Sequence, residues 1–585
     1  MKKEKWLILI AVLLLVSVFA GLSACGGNEK TSSTVAVTDE NGEVLTDANG
    51  NPITAVLQGE IVELTNANGE KIYDENGEVR TTVIYGEQQI AVPVTDENGN
   101  LVYDEAGNLV TTMVSYTTTT VGSGGITGIP ITDSNGNIVS SPNGNPLTYT
   151  ATYTVTPALP GQNTANWSST FGGTGGDAFV DTAATPDGGF AALVQANSKD
   201  GSMADLAGDS ATPIPVLIKY SRRGRLEWRQ IVSSDSGVQA TGLAVDEDGN
   251  IAVCGLTRAT NLGFAAAGDY DAVVFKFNDD GELQWTRNFG GSRADGFEQI
   301  AAAPDGGFVA VGYSSSSDGT GASLGLSAAR SAPIVVKFSA DGSIAWQRAV
   351  GATGDTLTSV AVDTDGSVYA AGNFTSSGAN SLFTSYGRAD AGLVKFSSSG
   401  EQQWVQQFGG SRVDNFLAVT AASDGGCVAV GRSASRDRTM SKLSNNGGYD
   451  AIMVKYNANG SIAWQSVVHG LLDDCFTGVC ATEDGYALAG YTNSSNSDFR
   501  KVGNRGGTDA FLVRTDASGE VLENTLQSYG GTRDDRFNGI CVLESGELVA
   551  CGATLSTDGD LVGSAPASDG KNTVGMIARF EAAKD

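Results

Sequence analysis

The stretch from Asp271 to Gly312, DAVVFKFNDDGELQWTRNFGGSRADGFEQIAAAPDGGFVAVG, decides the fold, because it returns with drift through the C-terminal two-thirds of the chain. Its landmark is a tryptophan following a D-G turn, Asp280-Gly281-Glu282-Leu283-Gln284-Trp285. Trp167, Trp228, Trp285, Trp346, Trp404 and Trp464 stand 61, 57, 61, 58 and 60 residues apart, and Asn524 takes the next place. The period therefore counts seven repeats of about 60 residues.

Turn residues divide each repeat into four strands. Phe297 to Ala303 is small and apolar and halts at Pro304-Asp305-Gly306-Gly307, where glycine supplies the positive φ of a tight hairpin. Phe308 to Gly312 runs back, Ile334 to Phe338 follows a long polar loop, and Asp341-Gly342 returns the chain through Ile344 to Trp346. A single four-stranded sheet cannot bury both faces until neighbours stack on it, so the pattern predicts an all-β, seven-bladed β-propeller of four-stranded antiparallel blades. The tryptophans are expected to fill the wide outer gap between blades. The strand at Asn166 to Phe171 has no third strand before it, while the seventh repeat ends after its third strand. Residues 166–171 are therefore expected to pair with 575–580, closing the ring over 165–585 and removing an open edge.

The run DA-x-x-x-K-[FY]-x-x-x-G-x-x-x-W-x-x-x-[FV]-G-G-[ST]-x-x-D, followed by DGG-[FC]-V-A-V-G, resembles the bacterial β-propeller repeats of the SBBP type, found in surface and secreted proteins. The resemblance covers roughly residues 165 to 585 and implies the fold. It carries no catalytic motif.

At the start of the chain Lys2, Lys3 and Lys5 precede an apolar run, Trp6 to Gly21, and then Leu22-Ser23-Ala24-Cys25. A charged start, an apolar core and small residues form a secretion signal, and LSAC resembles a bacterial lipobox. Residues 1–24 are thus expected to be a lipoprotein signal peptide, Cys25 the lipidated residue, 25–34 a tether and 35–157 an acidic, hairpin-rich β stalk. The stalk carries paired turns at Gly42 and Gly50, Gly69 and Gly77, Gly99 and Gly107, and Gly136 and Gly144, most of them D-x-N-G. The alternation of Asp39 and Asn41 could suggest calcium, but the glycine arrives too early for an EF-hand loop and the distal glutamate is missing, so the turn reading is preferred.

The net charge of −30 argues against nucleic acid, whose phosphates demand a basic face, and suits an exposed, soluble position. Of seven cysteines, six lie in the repeats, where other copies hold Ala or Val at equivalent positions; they read as small buried hydrophobes, with a Cys541 to Cys551 bridge left open. No C-x-x-C pair has a histidine partner and the sole histidine is His469, which leaves zinc, Ser-His and Cys-His chemistry little to work with.

Propeller geometry puts the short D-G-G and D-G turns on one face, and the long loops on the other with the Gly-Gly turns, Arg293, Arg412 and Arg533. An acid stands near the entry of nearly every first strand: Asp177, Asp295, Asp355, Asp414, Asp474 and Asp534. Such an acid either caps nearby backbone N–H groups or forms a ligand or cation ring at the channel mouth, calcium being the candidate ion. The loops vary while the frame repeats, as in a scaffold that presents a binding surface. The sequence therefore points to a lipid-anchored extracytoplasmic protein at the cell surface, monomeric, that binds a protein or glycan partner through its loop face without catalysis or cofactor. The alternatives are a carboxylate-based hydrolase or lyase acting on an extracellular polymer, and an envelope assembly scaffold. A quinone-dependent propeller enzyme would need adjacent cysteines, which the chain does not have.

Overall fold

The computed structural model describes residues 165–582 apart from 207–212, 234–236, 259–267, 327–330, 376–381, 383–384, 444, 446 and 562–571, and, before them, seven strands within residues 13–149. The chain divides into two units, residues 1–157 and 158–585. In the first, Lys30–Thr38, Thr54–Glu63, Thr81–Pro93 and Thr111–Val121 pair antiparallel in chain order, with the short strand Leu13–Leu15 at the edge. The paired glycine turns and Cys25 lie outside the described residues.

The second unit is a seven-bladed β-propeller in which every blade is a four-stranded antiparallel sheet. Blade 3 is typical: Asp295–Ala302 innermost, then Phe308–Ser314, Ala332–Phe338 and Ile344–Ala349 outermost. The second and third strands are apolar on both faces because each is covered by the neighbouring blades; all seven residues of Ala332–Phe338 are buried. The hydrophobic cores consequently lie between blades. One packs Ala252, Val274 and Phe289 of blade 2 against Phe297, Phe308 and Phe338 of blade 3. Blade 7 is completed by the start of the unit: Ala165–Phe171 pairs antiparallel with Val574–Phe580, Trp167 standing opposite Arg579. The core of that junction joins Phe171 and Ile577 to Phe179 and Phe190 of blade 1.

Each tryptophan of an outer strand reaches the next blade. Trp228, Trp285, Trp346, Trp404 and Trp464 donate their indole N–H to the carbonyls of Asp279, Ala340, Ser398, Ala458 and Ala517 at 2.9–3.1 Å. These carbonyls lie in the turn between third and outer strands of the following blade, and the turn glycine lies flat on the indole. A Cβ on Gly400 would stand 2.5 Å from the ring of Trp346. Trp167 repeats the contact against Gly224 of blade 1. Asn524 stands in the tryptophan's place for a structural reason. The partner turn in blade 7 does not exist, since its third and outer strands come from opposite ends of the unit. Arg514 bonds the carbonyls of Gly546 and Glu581 at that seam instead.

The same ends of the blades carry a second repeated device. Buried lysines of the third strands pair with the aspartate of a D-G-G or equivalent turn: Lys219 with Asp187, Lys337 with Asp305 and Lys455 with Asp424, at 2.5–2.6 Å. Arg579 and Glu547 do the same in blade 7. The lysine stems lie between sheets, and the charge reaches the rim.

Gly400→Ala and Gly306→Ala test the indole contact. Both residues have positive φ, 77° and 74°, and each alanine should cost about 1 kcal/mol for the left-handed backbone. The Cβ at 306 meets nothing nearer than 3.6 Å, whereas the one at 400 displaces an indole. Urea denaturation should therefore show an excess loss of about 1–3 kcal/mol for Gly400→Ala, the usual cost of overpacking; equal losses would show that the indole is not clamped.

Candidate functional site

The loop face is framed by hydrogen bonds that close the entry of each first strand. Asp177, Asp295, Asp355, Asp414 and Asp474 are all buried, from 0 to 5 % exposed. Their carboxylates turn into the blade. Asp414 accepts the Gly410 N–H at 2.8 Å and the Ser435 hydroxyl at 2.7 Å, and also the Ser433 hydroxyl. Asp295 accepts Gly291 N–H at 3.1 Å and the hydroxyls of Ser314 at 2.5 Å and Ser316 at 2.7 Å. Asp474 accepts Thr492 and Ser494 in the same way. Each is therefore filled by donors of its own blade.

Asp534 is not the sixth member of this set. It is exposed and accepts the Thr508 N–H at 3.0 Å, as Asp473 accepts Tyr449 N–H. The buried place belongs to Asp535, bonded to Gly531, Thr554 and Ser556. The register is set by the phenylalanine two residues later, in Asp295-Gly296-Phe297 and Asp414-Asn415-Phe416 as in Asp535-Arg536-Phe537. Blade 2 holds Val238 at this place, opposite Thr257 as Asp295 is opposite Ser314. Among the described residues no group of three or more His, Cys, Asp or Glu side chains is placed to hold a metal ion.

A second set of buried acids escaped the sequence reading. Asp271, Asp390, Asp450 and Asp509 open the third strands of blades 2, 4, 5 and 6 and are fully buried. Asp390 and Asp414 meet over Gly409: a Cβ there would lie 2.7 Å from Asp390 Oδ1 and 2.5 Å from Asp414 Oδ2. The Oδ1 atoms of Asp390 and Asp509 make no hydrogen bond. Burial, reinforced by the neighbouring Asp450 charge, pushes Asp474 up to about 7. Burial, again with a neighbouring carboxylate, Asp535, pushes Asp509 up to about 6. Asp414 and Asp535 are raised for the same first cause.

Arg293, Arg412 and Arg533 are exposed on the loop face. Their backbone N–H groups bond Ser316, Ser435 and Ser556 at 2.9–3.1 Å, so the frame uses their main chain. Towards the axis, every first strand carries a bulge, at Thr241 in blade 2 and Glu298 in blade 3. The bulged Thr241, Thr358 and Thr477 donate to the carbonyls of Phe297, Phe416 and Phe537 in the next blade. Asp181 of blade 1 accepts Leu243 N–H of blade 2 at 3.2 Å and the Gln299 amide of blade 3 at 3.1 Å. Gln299 crosses blade 2 at Gly242, where a Cβ would sit 2.1 Å from its oxygen. Burial pushes Asp181 up to about 6. This polar bridge spans three blades on the channel wall.

All six cysteines of the propeller are free thiols. Cys541 stands opposite Val549, and Cys551 opposite Gly539, so the hairpin register does not join them. Burial pushes the thiols of Cys254, Cys475 and Cys480 up to about 12, and those of Cys427, Cys541 and Cys551 higher still. None is a thiolate near neutral pH. His469 has its Nδ1 2.8 Å from Asp498 Oδ2, and its own N–H donates to the same oxygen.

No protein-family model matches the chain, and no curated protein matches its sequence. Solved structures resemble it in fold. YCF48 bound to a D1 peptide is 9 % identical with a TM-score of 0.35, over 73 % of this chain and 100 % of the other. Sqt1 from Chaetomium thermophilum is 12 % identical with a TM-score of 0.35, over 72 % of this chain and all of its own. A protein of unknown function from Dyadobacter fermentans is 11 % identical with a TM-score of 0.37, over 72 % of this chain and all of its own.

The paired acids make stability depend on pH. A carboxyl whose folded pKa exceeds its unfolded value binds its proton more tightly when folded, so its contribution is present at low pH and lost as pH rises. For Asp474 and Asp509 the window runs from about 3.8 up to about 7 and about 6. The exposed caps Asp318, Asp437 and Asp558 are lowered by the backbone N–H groups they accept and act oppositely, only at the acid end. The melting temperature should be higher at pH 5 than at pH 8, and Asp474→Asn with Asp509→Asn should flatten the difference. Equal melting temperatures at the two pH values would show that the pairs ionise without cost.

Proposed function

We propose that this protein is a lipid-anchored, extracytoplasmic propeller that binds a macromolecular partner, a protein or a glycan, through its loop face and performs no catalysis. The observation that carries this reading is a division of labour at the loop-face turns. The frame is held by buried acids, serines and main-chain N–H groups, which leaves the side chains at 292–293, 411–412, 471–472 and 532–533 exposed, a hydroxyl and an arginine in blades 3, 5 and 7 and two leucines in blade 6. A rigid frame that frees exposed side chains from any structural duty is what recognition requires. Buried thiols held protonated favour binding over thiolate chemistry.

Anchoring rests on the lipobox alone. Cys25→Ala should release the protein from the membrane fraction into the soluble one, and fractionation unchanged from the wild type would refute lipidation. For recognition, the secreted Cys25→Ala protein should capture a partner from envelope fractions, and the triple substitution of Arg293, Arg412 and Arg533 by Glu should reduce capture at least about tenfold, a loss of about 1.4 kcal/mol. Substituting Leu226 and Leu283, exposed on the opposite turns, should leave it unchanged. Capture indifferent to the loop-face charges and sensitive to the opposite turns would overturn the reading.

A further inference from the structure

At each junction that carries an outer-strand tryptophan, the second strands of the two blades place side chains beside the indole. Between blades 7 and 1 the ring of Phe190 stands 5.9 Å from that of Trp167, and between blades 5 and 6 Tyr486 stands 6.0 Å from Trp464. Phe308 packs with Trp285, and Ile251 with Trp228, in the same place. Between blades 4 and 5 that place falls to Cys427, and the ring comes from the other blade: Tyr369 stands 6.0 Å from Trp404. Between blades 3 and 4 both places hold valine, Val368 and Val309. A cavity of about 130 Å³ lies there, bounded by the two valines, Trp346, Gly366, Asp305 and Asp365.

The next junction shows what such a space accepts. Tyr369 is the counterpart of Val309, since each stands opposite the third-strand lysine of its blade, Lys395 or Lys337. Gly425 is the counterpart of Gly366, after the aspartate of the following blade's turn. The Tyr369 hydroxyl donates to the Gly425 carbonyl at 2.6 Å, and Lys395 Nζ lies 4.9 Å from the centre of its ring. Indole, lysine and turn glycine thus surround a phenol side chain between blades 4 and 5, and a cavity between blades 3 and 4. The volume suits a ring, because an apolar cavity of about 150 Å³ holds benzene whereas a water takes about 30 Å³. Asp305, 65 % exposed, stands at the edge, so the cavity meets solvent at the D-G-G rim.

We propose that the cavity between blades 3 and 4 is a binding site for a phenolic ring, seated beside Trp346 and Lys337 with its hydroxyl donated to the Gly366 carbonyl. The edge of the indole and the ammonium of the lysine supply the contacts that Trp404 and Lys395 give Tyr369. A small free phenol and a tyrosine side chain offer the same chemistry and differ in what is attached to the ring. The site lies on the face away from the loops and does not depend on recognition there.

Calorimetric titration of the full chain carrying Cys25→Ala tests it with p-cresol, which is the tyrosine side chain without its backbone, and with N-acetyltyrosinamide. p-Cresol should bind saturably, and toluene, which lacks the hydroxyl, at least about tenfold more weakly. Val309→Tyr supplies the ring from the protein as Tyr369 does, and Val368→Phe supplies it as Phe190 does. Each should abolish p-cresol binding and melt no lower than the parent. Binding of p-cresol alone assigns the site to a small phenol, and binding of N-acetyltyrosinamide as well extends it to a tyrosine side chain. No saturable p-cresol binding, or binding that survives in a folded variant, would overturn the proposal. Toluene held as tightly as p-cresol would overturn the phenolic assignment. If neither variant folds, the space does not admit a ring and the proposal fails.

Discussion

The interaction on which the ring depends is the stacking of an outer-strand indole on the turn glycine of the next blade, with the indole N–H tied to that turn's carbonyl. An isolated blade is a small twisted sheet with two apolar faces, and its burial comes entirely from its neighbours. Inner strands approach closely around the axis, but outer strands diverge, so the gap between blades widens outward and needs a large planar side chain. The indole fills the gap and its N–H fixes the angle between blades. The turn must present a residue without Cβ, which is why glycine follows Asp280, Asp341 and the equivalent residues whatever the rest of the turn. The same logic explains why Trp167 lies some sixty residues ahead of the first complete hairpin it packs on: it belongs to blade 7 and latches onto blade 1 at Gly224.

Much of this was legible because propeller physics repeats. Tryptophan spacing, D-G turns and apolar runs gave strand count, blade count and the identity of the blade that would need a borrowed strand. The details that escaped are of two kinds. Some are local shifts invisible to a period: the bulges at Thr241, Glu298 and Thr358 insert one residue in each first strand, and consecutive acids left the register between Asp534 and Asp535 to be decided by the phenylalanine two residues downstream. Others are meetings in space. Asp390 and Asp414 approach because one opens the third strand of a blade and the other the first strand of the next, and Asp181 meets Gln299 across 118 residues of chain and an intervening blade. No sequence window contains both partners.

The buried polar groups divide along the ring axis. At the D-G-G rim, buried lysines pair with aspartates that stay about half exposed, so the ion pair offsets the desolvation of the lysine. At the loop rim, carboxylates are withdrawn from water and supported by hydroxyls and N–H groups, three of them next to a second carboxylate. Replacing such a set by apolar side chains would often be neutral or stabilising. What the polar version supplies is placement: an acid that accepts from a turn and from the second strand fixes the turn's path to within hydrogen-bond tolerance, and the six exposed turns of the loop face inherit that precision.

That placement is what makes a single departure from the repeat meaningful. If the loop-face turns were loose, Leu471 and Leu472 could fold back onto the surface and bury themselves, and their identity would say little. Because Asn496 and Ser494 hold their N–H groups in the same geometry that Asp437 and Ser435 impose in blade 5, the leucines are held outward. Two exposed leucines forfeit roughly 1.5–3 kcal/mol each relative to burial, and the exposed Asp473 follows them directly. The frame thus keeps an apolar pair in solvent where blades 3, 5 and 7 carry a hydroxyl and an arginine.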